Sequence, residues 1–227
     1  MLASVAALGC GGDQGPSPTV RLSIQGQVLS ADPTPVAVAG ATVALRTFLG
    51  FLGEGAQTLA HTTTGQTGNY HLTYESICGS LGLDNNDPQD WIEASAAGYQ
   101  TASTFSTNSS TWPSDPPIHC TTDPQVINLS LQPFGTLHVI TNTTGSGLDP
   151  DGYLLVVGGM IPNSGTMLGY PMGLNDEEIL SQALPGQHSL ELTEVASNCM
   201  VAGDNPRTVT VAARETTVAI FQVTCAS

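Results

Sequence analysis

The chain has no lysine. Its only strong cations across 227 residues are Arg21, Arg46, Arg207 and Arg214, set against nineteen acidic residues and a formal net charge of −15. Phosphate binding needs clustered Lys and Arg to displace counterions, so nucleic acid is excluded as a partner, and an anionic lipid surface repels the chain. A Walker A loop and Schiff-base chemistry both require lysine and are excluded with it. A G-x-S-x-G elbow, an HExxH pair and a GxGxxG turn between strand and helix are also absent. No two cysteines form a CxxC pair, which removes metal knuckles and dithiol redox motifs. His188-Ser-Leu-Glu191 spells HxxE, but residues three apart on a strand point to opposite faces and cannot share one metal. The expectation is a non-catalytic protein with no catalytic residues, no metal and no resident cofactor.

What is present starts with "AALGCGG", residues 6–12. Leu2 to Leu8 are too few to span a bilayer but suit the apolar centre of an export signal at 1–9. The usual positive n-region is missing, so the natural start is expected further upstream. Ala7-Leu8-Gly9-Cys10 resembles the bacterial lipoprotein signal, in which a small residue precedes the cysteine that is lipidated. That resemblance implies an exported protein, held by Cys10 in a lipid bilayer on the periplasmic face of a bacterial membrane or at the cell surface. "GGDQGPSPT" then completes a flexible tether over 10–19.

Beyond Cys10 stand Cys78, Cys120, Cys199 and Cys225, an even set in an exported chain. The simplest pairing is within each half, Cys78 with Cys120 and Cys199 with Cys225, although the sequence allows three connectivities. Each closure is worth about 3.5–4 kcal/mol on the chain-entropy account. The competing reading is four free buried thiols.

"VRLSIQGQVLS" alternates Val20, Leu22, Ile24 and Val28 with polar residues, the period of a strand with one wet face. "ATVALRT", "NYHLTYES", "WIEASAAGY" and "QVINLSLQP" continue the pattern, putting Val43, Leu45, Tyr70, Leu72, Tyr74, Ile127, Leu129 and Leu131 inward. Turn chemistry separates them at 65–69 (GQTGN) and 84–90 (DNNDPQD). The spacing predicts an all-β chain of two antiparallel β-sandwich domains in tandem, and the lipoprotein resemblance implies that they stand behind a lipidated flexible tether. After "QPFG" the second unit places Leu137, Val139, Tyr153 to Val157, Leu190, Leu192, Val209, Val211, Ala219, Phe221 and Val223 on strands. Over "NDEEILSQAL", 175–184, a short capped helix competes with a strand.

"IQGQVLSADPTPVAVAGATVALRT", "TTTGQTGNYHLTY" and "IEASAAGYQTAS" together resemble the carboxypeptidase regulatory-like domain, a transthyretin-like sandwich grouped with carbohydrate-binding-like folds. The match covers 20–132. The remainder, 133–227, is similar to Ig-like or PEGA-like β-domains of bacterial envelope proteins.

Two connections break the rule that turns are polar. "RTFLGFLGEG" sets Phe48, Leu49, Phe51 and Leu52 among glycines. "MIPNSGTMLGYPMG" gathers Met160, Met167, Leu168, Tyr170 and Met172, an adaptable composition common at binding surfaces. Both are expected to contact a partner, an envelope protein or larger membrane complex; the bland reading is that they cover their own sandwiches. Trp112, in the polar "TNSSTWPSDPPIH", is the candidate for stacking on a polysaccharide in an alternative glycan-binding role. Asp84, Asp87 and Asp90, or Asp149, Asp151 and Glu177, could supply oxygens to Ca²⁺, but neither run has EF-hand spacing.

Overall fold

A computed structural model describes residues 19–48, 56–77, 90–104, 122–159 and 167–227. Among them are sixteen strands and no helix, and so none long and apolar enough to cross a membrane. The period-2 segments form the strands: Leu22, Ile24 and Val28 are fully buried while Arg21, Gln25 and the other alternate side chains face out.

The first sandwich comprises β1 (Thr19–Ser30), β2 (Thr42–Phe48), β3 (Ala56–Thr63), β4 (Asn69–Ile77), β5 (Asp90–Ser95), β6 (Ala102–Ser103), β7 (Gln125–Val126) and β8 (Leu129–Leu131). One sheet runs β4-β1-β7, with β8 also on β1, and the other runs β3-β2-β5-β6. Strand β1 is antiparallel to β4 and parallel to β7 and β8. The core between the sheets includes Val43, Leu45, Tyr70, Leu72, Ile92, Leu129 and Leu131. Burying each large aliphatic contributes about 1.5–3 kcal/mol. The Tyr70 hydroxyl donates to the Ile127 carbonyl at 2.7 Å, and burial pushes its pKa up to about 12.

The second sandwich comprises β9 (Gly135–Gly145), β10 (Tyr153–Gly158), β11 (Met167–Met172), β12 (Asn175–Ala183), β13 (Gly186–Thr193), β14 (Cys199–Val201), β15 (Arg207–Val211) and β16 (Thr216–Cys225). Its sheets run β12-β9-β16-β14 and β11-β10-β13-β15. The first strand again lies antiparallel to the fourth and parallel to the last, and the second strand again sits between the third and fifth. Both halves therefore share this central wiring, and the second adds the edge strand β14 beside β16. In the Ig constant-type order the first two strands lie in one sheet, so the second unit is Ig-like as a two-sheet sandwich and differs in strand order. The segment 175–184, open between helix and strand in the sequence, forms β12: pairing with β9 and burial of Leu180 and Ala183 outweigh the acids that favour a helix start. Cys199 and Cys225 are bonded and tie the edge strand β14 to β16, closing a separation of 26 residues, worth about 3.5 kcal/mol on the chain-entropy account. Cys78 and Cys120 lie outside the described residues.

The junction is short and fully engaged. Between β8 and β9, the Gln132 carbonyl accepts from Gln100 N–H at 2.8 Å, and Phe134 N–H donates to the Gly98 carbonyl at 2.9 Å. The Phe134 carbonyl accepts from Arg214 N–H at 2.8 Å. Arg214, on the β15–β16 turn with φ 63°, reaches back to the first sandwich. Its guanidinium donates to the Tyr99 hydroxyl at 2.7 Å and to Asp32 at 3.0 Å. Backbone groups satisfied from both sides leave no free hinge at this point.

Candidate docking surface

Alternation on β9 and β16 sends Leu137, Val139, Thr141, Ala219, Phe221 and Val223 into the core and their neighbours onto the outer face. The register then sets those neighbours in rows. Ile179 of β12, His138 of β9 and Val218 of β16 lie side by side; the next row is Glu177, Ile140 and Ile220. Further along, Met200 of β14 sits opposite Thr224. Ile179 is 56% exposed, Val218 53%, Ile220 43% and Met200 71%, so four of the eight exposed large apolar side chains among the described residues share one sheet face. Half-buried Ile140 lies between them.

Gln222 with Asn142, and Thr224 with Thr144, stand on the same face between the Ile220 row and Met200, and further polar groups sit toward β12. The His138 ring Nε2 lies 2.8 Å from Glu177 Oε2, an ion pair whenever the imidazole is protonated. Beside them an open depression of about 320 Å³ is lined by Ile140, Thr141, Asn142, Asn175, Asp176 and Glu177. The Asp176 carboxylate accepts from the backbone N–H of Gly173 at 2.8 Å and of Glu177 at 2.9 Å, and these bonds hold its pKa below the ordinary value. Glu178, the third acid of this edge strand, lies close enough to Tyr170 to add to the upward push that burial gives that phenol.

Three of the four arginines are engaged within the chain. Arg46 donates to Thr58 at 2.8 Å and lies 3.9 Å from Glu93. Arg207 stacks 3.9 Å above the Phe221 ring and donates to the carbonyls of Asp204, Ile220 and Ala202; desolvation lowers its pKa. Arg214 holds the junction, and Arg21 lies in register with Glu75 across β1 and β4.

The residues singled out in the sequence fare unevenly. Cys10, Leu49, Phe51, Leu52, Trp112 and Met160 lie outside the described residues, and Phe48 is described only in its backbone, as the end of β2. The two apolar connections do fall at one topological position, joining the second strand to the third in each sandwich. Met167 opens β11 at 59% exposure. Leu168 and Tyr170 are half-buried. Met172, expected at a partner contact, is instead a core residue at 3% exposure, because its place on β11 opposite Tyr153 turns it between the sheets. His188 is buried while Glu191 takes the opposite face, and the His188 ring Nε2 lies 2.6 Å from the Leu184 carbonyl. Asp149 is buried and accepts from the N–H groups of Ala196 at 2.7 Å and Asp151 at 3.3 Å, a turn-fixing role apart from Glu177. Among the described residues no three His, Cys, Asp or Glu are grouped to hold a metal.

The outer face itself went unread in the sequence, although its signal was there. "TVAIFQV" runs Val218, Ala219, Ile220 and Phe221 without a polar break, the mark of a strand apolar on both faces rather than one.

No protein-family profile matches the sequence. A search of curated proteins also finds no match. Among solved structures, the chain overlays a streptococcal ancillary pilin with TM-score 0.40 at 11% identity, over 89% of this chain and 62% of that one. It overlays the minor pilin of Streptococcus agalactiae with TM-score 0.34 at 11% identity, over 90% and 96%. For the shaft pilin of Lactobacillus rhamnosus GG the values are 0.30 and 9%, over 92% and 99%. The chain thus spans about three fifths of the ancillary pilin's length. Overlays at this level assign neither a family nor a function.

Proposed function

We infer that the chain is an exported, non-catalytic structural or accessory subunit that works through protein–protein contacts on a larger membrane assembly. The observation that carries this reading is the apolar outer face of the β12-β9-β16-β14 sheet, too concentrated for scattered surface apolarity. On this reading 20–132 is a carboxypeptidase regulatory-like domain and 133–227 a second sandwich that presents the docking face. The tether and Cys10 hold both at a bacterial membrane, since the several acyl chains of a lipoprotein cysteine anchor firmly where one is marginal. The engaged junction supports the same reading, because it sets the docking face of the second sandwich at a defined position relative to the first.

The test is the native mass of the protein after gentle detergent extraction from its own membranes, with mass spectrometry of what travels with it. Stoichiometric co-migration with an assembly is expected. A lone lipidated particle overturns the reading and moves the weight to glycan binding at Trp112.

A further inference from the structure

We propose that β14 is a removable cover over the outer edge of β16, latched by the Cys199–Cys225 bond, and that a dithiol opens the latch so that β16 pairs edge to edge with β16 of a second copy. This goes beyond the function proposed above and stands apart from it.

Comparing the two sandwiches singles the strand out. Among the described residues β14 has no counterpart in the first sandwich. There the return strand parallel to β1 is broken into the two residues of β7 and the three of β8, with Pro124 before them and Pro133 after. Short strands bounded by proline leave no long edge to pair. In the second sandwich the return is the ten residues of β16, and from Thr216 to Ser227 the chain has no charge, proline or glycine. Val218 and Ile220 are exposed on one side of that strand, and Phe221 and Val223 are buried on the other. A strand of this composition is a template for strand addition unless its second edge is closed.

Parallel pairing with β9 closes one edge. The segment 199–207 closes the other. Cys199 to Val201 pair with Val223 to Cys225, Ala202 N–H donates to the Gln222 carbonyl at 2.8 Å, and the Arg207 guanidinium donates to the Ile220 carbonyl at 2.9 Å. The cover is thin: β14 has three residues, Met200 is 71% exposed, and Cys199 and Val201 are only half-buried. Packing holds it weakly, so the disulfide at its start and Arg207 at the far end of the segment supply the hold.

Opening needs a thiol reductant. Cys225 is buried and Cys199 half-buried, so a thiolate attacks Cys199 Sγ. A new S–S bond forms there, the Cys199–Cys225 bond breaks, and the electron pair leaves with the Cys225 thiolate, which takes a proton from water. The reductant's second thiol then displaces Cys199, leaving two protein thiols and one oxidised dithiol. A second copy fits the bared edge because antiparallel pairing about a two-fold axis lets each copy offer the other the same uncharged row. The −15 of each copy opposes approach, so added salt favours it.

The test compares the oxidised full chain, the same chain held in a dithiol, and the Cys199→Ser, Cys225→Ser double variant without reductant, which opens this bond alone. Mass is read by sedimentation and amide exchange by mass spectrometry. Both opened forms are expected to exchange at 199–201 and 223–225 at least about tenfold faster while β9, β10 and β13 keep their protection. Both are also expected to double in mass, more completely in added salt, while the oxidised chain stays single. Val218→Lys, a charge on the edge strand, is expected to keep the opened forms single with an unchanged melting temperature. Equal mass for the closed and opened forms overturns the proposal, as does a Val218→Lys chain that pairs as fully as the wild type. Protection lost throughout 135–225 on opening also overturns it, because the bond then stabilises the whole sandwich and latches nothing.

Discussion

The sheet built on β1 and the sheet built on β9 share the order of their first, fourth and last strands; the second adds the edge strand β14, and their outer surfaces differ. Each sets its first strand antiparallel to the fourth and parallel to the last, and each buries alternate side chains against a second sheet. Yet β1 turns Arg21, Ser23, Gln25 and Gln27 to solvent, whereas β16 turns out Val218 and Ile220 and β12 turns out Ile179. Inward positions are dictated by the wiring and outward ones are free. What the outward positions carry is therefore evidence about use rather than about folding.

The strongest way to probe the shared half of this comparison is to empty each core in turn. Phe221→Ala is expected to cost about 3–5 kcal/mol and Leu22→Ala about 2–5 kcal/mol, since both side chains are fully buried. Hydrogen exchange read by mass spectrometry should show protection lost mainly between 135 and 225 for the first variant and mainly between 19 and 131 for the second. Loss spread evenly over both halves in either variant would mean one cooperative unit, and the comparison would lose its independent control.

A smaller effect is expected where the two sandwiches repeat a device. Gly26 of β1 lies against the Ile127 carbonyl, and Gly145 of β9 against the Cys225 carbonyl; a Cβ at either would overlap that backbone. In both cases a glycine lets the first strand close on the chain's return. Alanine at Gly26 is expected to cost about 1–3 kcal/mol, and at Gly145 more, because φ there is 117° and disfavours any side chain. Paired thermal melts read the difference; equal losses would remove the backbone part of the account.

Most of the architecture was legible because alternation is a strong signal when one face is wet. "VRLSIQGQVLS" shows its inward set directly, and the strand bearing Phe221 and Val223 is legible in the same way. The shared wiring was not legible, since period-2 patterning says which face is buried and nothing about which strand lies beside which. That is why two unlike family resemblances were drawn from halves with one central wiring. Met172 misled for a related reason: a methionine-rich stretch with Gly and Pro reads as a surface loop, while β11 pairs with β10 from Met167 onward and turns alternate residues inward. The outer face of β16 is the least legible part, because a run apolar on both sides, as in "TVAIF", does not say which of its residues stay exposed.

The junction sharpens the comparison differently, by asking whether the two halves keep a fixed relation. Arg214→Ala removes the guanidinium bonds to Tyr99 and Asp32, and small-angle scattering should show a broader distribution of maximum dimensions with little change in melting temperature. The wild-type protein should loosen similarly in acid. Hydrogen bonds from Ser30 and then Arg214 hold the Asp32 pKa below its ordinary 3.8. Its contribution is complete above the unfolded value and is lost as pH falls through the lower folded one. Loosening is therefore expected only below 3.8. Part of that dependence should survive in Arg214→Ala, because Ser30 remains. Identical scattering from the variant and wild type at neutral pH would show that backbone bonds at 132–134 alone set the geometry.

The smallest expected effect tests the opposite surfaces themselves. Val218→Thr and Ile220→Thr keep β-branching and so keep strand preference, and neither side chain touches the core face. On the isolated chain the pair should stay within about 0.5 kcal/mol of wild type in urea denaturation. A loss well above that would mean the outer apolar rows stabilise the sheet by packing on one another, and the face would be a feature of folding after all. A null result carries the greater weight. An exposed apolar surface that contributes nothing to stability, and whose counterpart in the first sandwich shows Val126 alone, needs a reason outside the fold, and a bound partner is such a reason.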